Sequence, residues 1–579
     1  MAATACYKLE TTSPGGGTTV NFKSNPCLSP DTVQLAVAQA MRIDCSNGGT
    51  TVTFAGAGAS YVVVPEFATD QALFQFVGYA VDSGTASLSV AAGRMQADRA
   101  RASAAAAVAA LPAVRLGASQ RAADARLRQR GRRIALSGAF RASRAPGPGA
   151  AQGAIQRSPP AQGSVRSFQV LSNLFGSVDT WATVRAQLAY VGDNILLYVD
   201  SLAPAGGFTP TQLQTYGQYF DQTLYPIDTT AFGAPSDIDG NGRVIVLMSN
   251  VVNADTPTST CSTSGFVAGF FNEEDFATTA SDANSNQGEV FYTILPDPNG
   301  QYSCAHSVAD LESIVPPTFL HELQHLINFA QHVVVAGGQP LSGWLDEGMS
   351  IAAEELGSIH YEVQCPGTAC RTDPAQLFPD SSQPFVQGFL YDSYQYALLP
   401  DTASILLEND GDAGSSWRGG AWLLVRWLQD QKGSGVLRQL ERGPDDGVTA
   451  IAQVTGEPFP QAFADFGLAL FTDSLPGLAR STAPPADRFA TRNLRQMWAR
   501  LYATSGGTVD IPYPMPVQLF SITSDTTTYV VYPGTVTYFR LDTPTKGARV
   551  SVQFAGPGGI AFPGGLQPQI AVFRLPPGQ

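Results

Sequence analysis

The residues best placed for chemistry are His321-Glu322-Leu323-Gln324-His325. Residues four apart share one face of a helix, so the two imidazoles converge where one metal ion fits. Glu322, beside the first His, then faces the same point and can take a proton from a metal-activated water. Zinc suits such a donor set, and a zinc hydrolase needs a third protein ligand and an open fourth position. Glu347, in Gly343-Trp344-Leu345-Asp346-Glu347-Gly348-Met349-Ser350, lies 22 positions after His325. That gap holds a helix end, a turn and a second helix facing the first. Glu354 and Glu355 follow on the second helix. They either support the ligands from behind or are solvated acids ahead of a helix stop at Gly357.

A second cation site is readable in Asp237-Ile238-Asp239-Gly240-Asn241-Gly242-Arg243. Asp237, Asp239 and Asn241 stand at alternate positions, as in the start of a calcium loop, with Gly at the sharp turn. The twelfth position is Met248, not Glu, so the loop is no complete EF-hand. The competing reading is an Asx-rich turn leading into a strand. Of seven cysteines, Cys365 and Cys370 bracket a short Pro-Gly loop, and Cys261 and Cys304 flank one long loop-rich segment. Both are candidate disulfides and favour an oxidising compartment over buried free thiols.

The elements that must position these groups follow from periodicity. A helix over about 316–336 carries the two His, with Pro316-Pro317 at its start and Gly337-Gly338 at its end. Leu323, Leu326, Ile327 and Ala330 form its apolar stripe. A second helix spans about 344–356. Strands at 194–199 and 244–248 and helices at 210–224 and 422–431 complete a mixed α/β region. Both ends of the chain read as β-structure, with strands at 51–54, 61–64, 527–532 and 550–554. The expected organisation is a β-rich N-terminal domain (1–92), an Arg/Ala/Pro-rich linker (93–165), a catalytic domain (166–505) and a β-rich C-terminal domain (506–579). The fold class is multidomain α+β, with N- and C-terminal β-sandwich-like domains flanking the core. Residues 92–165 hold 13 Arg and no Lys against Asp98 and Asp124. Within that linker, Arg132-Arg133 is the expected place for proteolytic nicking.

The net charge of −14 argues against a nucleic-acid binder. The most apolar run, 102–114, contains Pro112 and falls short of the roughly 20 residues that span a bilayer. The chain opens Met1-Ala2-Ala3-Thr4-Ala5 without a signal peptide, which reads as a start residue placed on a mature sequence. Secretion is therefore an expectation from the cysteines and from the resemblance that follows.

HELQH followed by WLDEGMS resembles the gluzincins, the HExxH peptidases whose third ligand is a Glu on a following helix. More narrowly, the chain resembles the hyicolysin family of bacterial metallopeptidases. That likeness also rests on YVGDNILLYVD (190–200), SDIDGNGRVIVLMSNVVN (236–253), SNQGEVFY (285–292) and GGAWLLVRWLQDQ (419–431), and covers roughly 170–500. It implies a zincin-like core and a secreted zinc endopeptidase acting on proteins or peptides; a monomer is expected. It carries over His321, Glu322 and His325 directly, and Glu347 through the wider gluzincin pattern. Gluzincins also place a Tyr or His near the scissile carbonyl as an oxyanion stabiliser. Here Trp417-Arg418 stands where that aromatic is expected, which leaves Tyr391, Tyr394, Tyr396, Arg418, His332 and His360 as alternatives. The competing functions are a surface-binding or adhesion protein with an inactive peptidase-like core, and a zinc hydrolase of a non-peptide bond.

Overall fold

A computed structural model of the chain describes residues 5–8, 23–26, 33–45, 50–55, 57–70, 77–81, 117–137, 159–278, 282–362, 383–408, 416–478, 488–505, 509–519, 527–543, 550–554 and 565–579. The protein is mixed α+β and falls into two compact units. One comprises Leu111–Phe389 and Ser434–Ala450; the other comprises Met1–Ala110, Leu390–Gly433 and Ile451–Gln579. The sequence span 166–505 is thus shared between the units.

In the first unit the strands are β1 (Val165–Leu171), β2 (Trp181–Val191), β3 (Ile195–Asp200), β4 (Val244–Met248), β5 (Gly269–Phe271) and β6 (Val290–Thr293). They form one sheet in the order β5-β6-β4-β3-β2-β1. The pairs β3/β4 and β4/β6 are parallel, whereas β5 runs antiparallel to β6 at the edge, with Phe270 opposite Tyr292. The run Val-Ile-Val-Leu-Met of β4 is buried throughout, as a central strand covered on both faces requires. In β2 only alternate residues (Val184, Ala186, Leu188 and Tyr190) are buried, the pattern of a strand with one wet face.

Three helices of this unit bear on the site: α1 (Ala118–Ser137), α2 (Val308–Phe329) and α3 (Gly343–Glu362). Helix α2 starts eight residues earlier than the prolines suggest, and Pro316-Pro317 lie inside it. The Ser307 side chain accepts from the Asp310 backbone N–H while Asp310 reaches back to the Ser307 N–H, a capping box that sets the true start. Phe319 anchors α2 to the sheet, its ring 5.4 Å from Phe291 of β6 and 4.7 Å from Phe220. Burying such a side chain stabilises by roughly 1.5–3 kcal/mol. Helix α3 does not stop at Gly357. A Cβ there would meet Leu320 of α2 at 2.7 Å, so the missing side chain lets the two helices approach. They are tied again where Gln324 accepts from the Ser350 hydroxyl (2.6 Å) and donates to Glu441 (2.7 Å).

In the second unit, strand Ser60–Phe67 lies between Phe539–Asp542 and Pro568–Arg574, with Val63 opposite both Phe539 and Val572. Strand Thr50–Phe54 pairs with Val550–Phe554, and Val77–Val81 with Thr527–Val531. The two β-rich ends, read from sequence as separate domains, therefore share one seven-stranded sheet and one core that includes Phe54, Tyr61, Val63, Val552 and Val572. Strands this short cannot bury their apolar faces alone, and the partner runs come from the far end of the chain. Among the described residues no helix is long and apolar enough to cross a membrane.

Candidate metal centre

Helix α2 puts His321 and His325 on one face, with their Nε2 atoms 3.2 Å apart. Helix α3 brings Glu347 over them, with its Oε2 3.5 Å from His321 Nε2 and its Oε1 3.9 Å from His325 Nε2. All three residues are buried. Two ligands on one ion with bonds of about 2.0–2.1 Å in a tetrahedral shell stand about 3.3 Å apart. The His321–His325 and His321–Glu347 separations are close to that spacing, the His325–Glu347 one is longer, and the donor set of two imidazoles and a carboxylate fits zinc. Each His is held from behind by an acid. His321 Nδ1 is 2.8 Å from Glu354 Oε1, and His325 Nδ1 is 2.9 Å from Asp346 Oδ2. Such partners on Nδ1 turn Nε2 toward a metal, and the Ser350 hydroxyl also lies 3.1 Å from His325 Nε2. Glu355, fully buried on the same helix, is not the acid that meets His321; its neighbour Glu354 is.

Burial and neighbouring charges shift the ionisable groups of the site. Burial pushes the Glu322 carboxyl up to about 8, with Asp124 adding to the shift and Arg128 and His321 opposing it. Asp346 is raised to about 7, again chiefly by burial. Burial works to lower the pKa of His321, but the Glu347 and Glu354 carboxylates more than reverse this and hold it well above its ordinary value. Glu322 Oε2 accepts from the Phe271 N–H of edge strand β5 (2.9 Å), while Oε1 is buried without a hydrogen-bond partner.

Three further groups were not singled out in the sequence. Helix α1, inside the predicted linker, carries Asp124, whose carboxylate, His321 and Glu347 offer ligand atoms within 4.8 Å of one another. It also carries Arg128, 3.6 Å from Glu322 Oε2 and 2.9 Å from Glu273 Oε1. Asp346 is the third; its signal was only its place next to Glu347. The expected nick at Arg132-Arg133 falls within helix α1, where Arg132 donates to the Leu341 carbonyl (2.9 Å).

The proposed oxyanion donors Tyr391, Tyr394, Tyr396 and Arg418 all belong to the second unit. There the Tyr394 hydroxyl donates to the Ile511 carbonyl (3.0 Å) and Tyr396 is fully buried. His332 lies beyond the end of α2, with its Nε2 3.1 Å from the Leu440 carbonyl oxygen. The His360 ring packs at 5.0 Å on Tyr361.

At the acidic turn, Asp237, Asp239 and Glu289 offer oxygens within 4.8 Å of one another. Gly240 (φ 71°) and Gly242 (φ 69°) take the left-handed conformation the turn requires. Asn241 lies on the same turn. Its amide donates to Asp239 (2.6 Å) and its Oδ1 accepts from the Arg243 N–H (2.5 Å). Glu289 is fully buried, with Oε1 accepting from Ser236 and Ile238 and Oε2 without a hydrogen-bond partner among the described residues. Cys261 and Cys304 form a disulfide with a Cα–Cα distance of 6.1 Å. Cys365 and Cys370 lie outside the described residues.

No family model matches the chain. Over 193 residues it is 28% identical to the neutral metalloprotease ShpI of Staphylococcus hyicus. That alignment covers 33% of this chain and 40% of the relative, so the chain spans less than half of the relative's length. The likeness supports a relationship to the metallopeptidases.

Proposed function

We propose that the chain is a secreted zinc endopeptidase of the gluzincin type, similar to the hyicolysin family, in which His321, His325 and Glu347 hold the metal. The observation that carries this reading is the convergence of His321 Nε2, His325 Nε2 and the Glu347 carboxylate beside the buried Glu322. A bound zinc ion would supply Lewis acidity and lower the pKa of the attacking water. Glu322 takes the proton from that water and passes it to the leaving amine. Its Oε2 bond to the Phe271 N–H fixes the carboxylate in place. Glu354 and Asp346 hold the imidazole tautomers. The experiment is digestion of unfolded casein by the zinc-loaded chain. Cleavage should disappear with o-phenanthroline and return with added zinc; a chain that keeps stoichiometric zinc yet cuts no protein, both in the native sequence and as Asp124→Ala, would favour the adhesion reading.

We also propose calcium at the acidic turn, held by Asp237, Asp239 and Glu289, because three carboxylates converge there and a buried oxygen of Glu289 has no hydrogen-bond partner among the described residues. Removing calcium with EGTA should lower the Tm by several degrees, and Glu289→Gln should abolish that dependence. A Tm insensitive to calcium in the native chain would count against the site.

A further inference from the structure

The segment read from sequence as a linker places a helix on the metal centre. Along α1, Gln120, Asp124 and Arg128 stand at intervals of four residues and so share one face. Each addresses a different part of the machinery. Gln120 ties α1 to the start of edge strand β5: its Nε2 donates to the Gly269 carbonyl and its Oε1 accepts from the N–H of Ala268 just before the strand, both at 2.8 Å. The exposed edge of a sheet is where an extended peptide binds through its backbone. The amide of Gln120 thus takes up backbone groups at the start of that edge. Asp124, buried and steadied by a 2.8 Å bond from Gln120 Nε2, brings its carboxylate to His321 and Glu347. Arg128 sits against the general base, 3.6 Å from Glu322 Oε2.

The rest of α1 is fastened to the same unit. Arg128 also pairs with Glu273 (2.9 Å), and Arg130 makes a two-point pair with Glu274. A Cβ at Gly131 would strike the Glu273 side chain at 2.6 Å, so a glycine lets the helix lie this close. Asp124 is the one acid among the six arginines of 117–137. Arg126, Arg128 and Arg130 meet the acids Asp179, Glu273, Glu274 and Glu322, whereas a solvated linker would leave them in water.

We propose that α1 is a resident inhibitor of the metal centre. In this arrangement Asp124 is a fourth ligand in the position a substrate water needs, Gln120 blocks the peptide-binding edge, and Arg128 neutralises Glu322. The inference rests on the metal-site reading but not on peptide hydrolysis, and the experiment separates the two. In the full chain loaded with Co(II), the d–d spectrum reports the ligand shell, and titration with a fluorescent hydroxamate reports access to the metal. Asp124→Ala and the isosteric Asp124→Asn should both change the spectrum and tighten hydroxamate binding at least tenfold, and casein hydrolysis should rise by a similar factor. If spectrum and binding change while no chain cuts casein, the inhibitory helix stands and the peptidase reading falls. If both variants keep their thermal transition, spectrum and hydroxamate affinity, the inhibitory role is overturned whatever the casein result.

A measurement on the native chain needs no variant. Hydroxamate that must displace α1 should speed tryptic cleavage after Arg126, Arg128, Arg130, Arg132 or Arg133 by at least fivefold, because competing occupancy is reciprocal. Cleavage unaffected by saturating hydroxamate would also overturn the proposal.

Discussion

Replacing Glu322 by Gln should slow casein hydrolysis by at least about a hundredfold, and by up to ~10⁴, with zinc content unchanged. The substitution is chosen to isolate the proton. A glutamine oxygen can still accept from the Phe271 N–H, so the side chain keeps its seat on the edge strand. What it loses is an acceptor basic enough to take a proton from water. Glu322 is not among the proposed zinc ligands, and the imidazoles keep their Glu354 and Asp346 partners. The comparison is best made both in the native sequence and in Asp124→Ala, with zinc counted in every sample. Equal rates with and without the Glu322 carboxylate would assign the proton transfer to another group or the activity to a contaminant.

The second large effect concerns the metal. Glu347→Ala should weaken zinc binding by more than a hundredfold, whereas Glu354→Gln should weaken it by about 10–100-fold. The difference follows from position. Glu347 faces both Nε2 atoms, while Glu354 touches only the far nitrogen of His321. Competition with a chromophoric chelator gives both affinities in one series. If the two substitutions cost the same, Glu347 acts from outside the ligand shell and a different third ligand must be sought.

How much of this was legible in the sequence depended on range. The pair His321/His325 needs only the pitch of one helix, and Glu347 only one turn more, so their convergence is written locally. The start of α2 was misread because two prolines are a conspicuous signal. The weaker signal of Ser307 and Asp310 was equally present and is the one the backbone follows. The union of the two β ends was not legible, since Val63 and Val572 are brought together by pairing across almost the whole chain, which strand propensity does not encode. Helix α1 was hidden for another reason. Its attachment is electrostatic, through arginines to Glu273, Glu274 and Glu322, and an arginine-rich stretch reads alone as a solvated one. Glu289 likewise lies far from the acidic turn in sequence and joins it only because β6 runs beside β4.

Zinc-edge X-ray absorption on the stoichiometrically loaded chain tests the ligand set most directly. The account predicts the multiple-scattering signature of two imidazoles together with carboxylate oxygen in the native protein, and of a single imidazole in whatever zinc His325→Ala retains. A native spectrum without imidazole scattering, or a His325→Ala variant with full zinc and an unchanged spectrum, would contradict it.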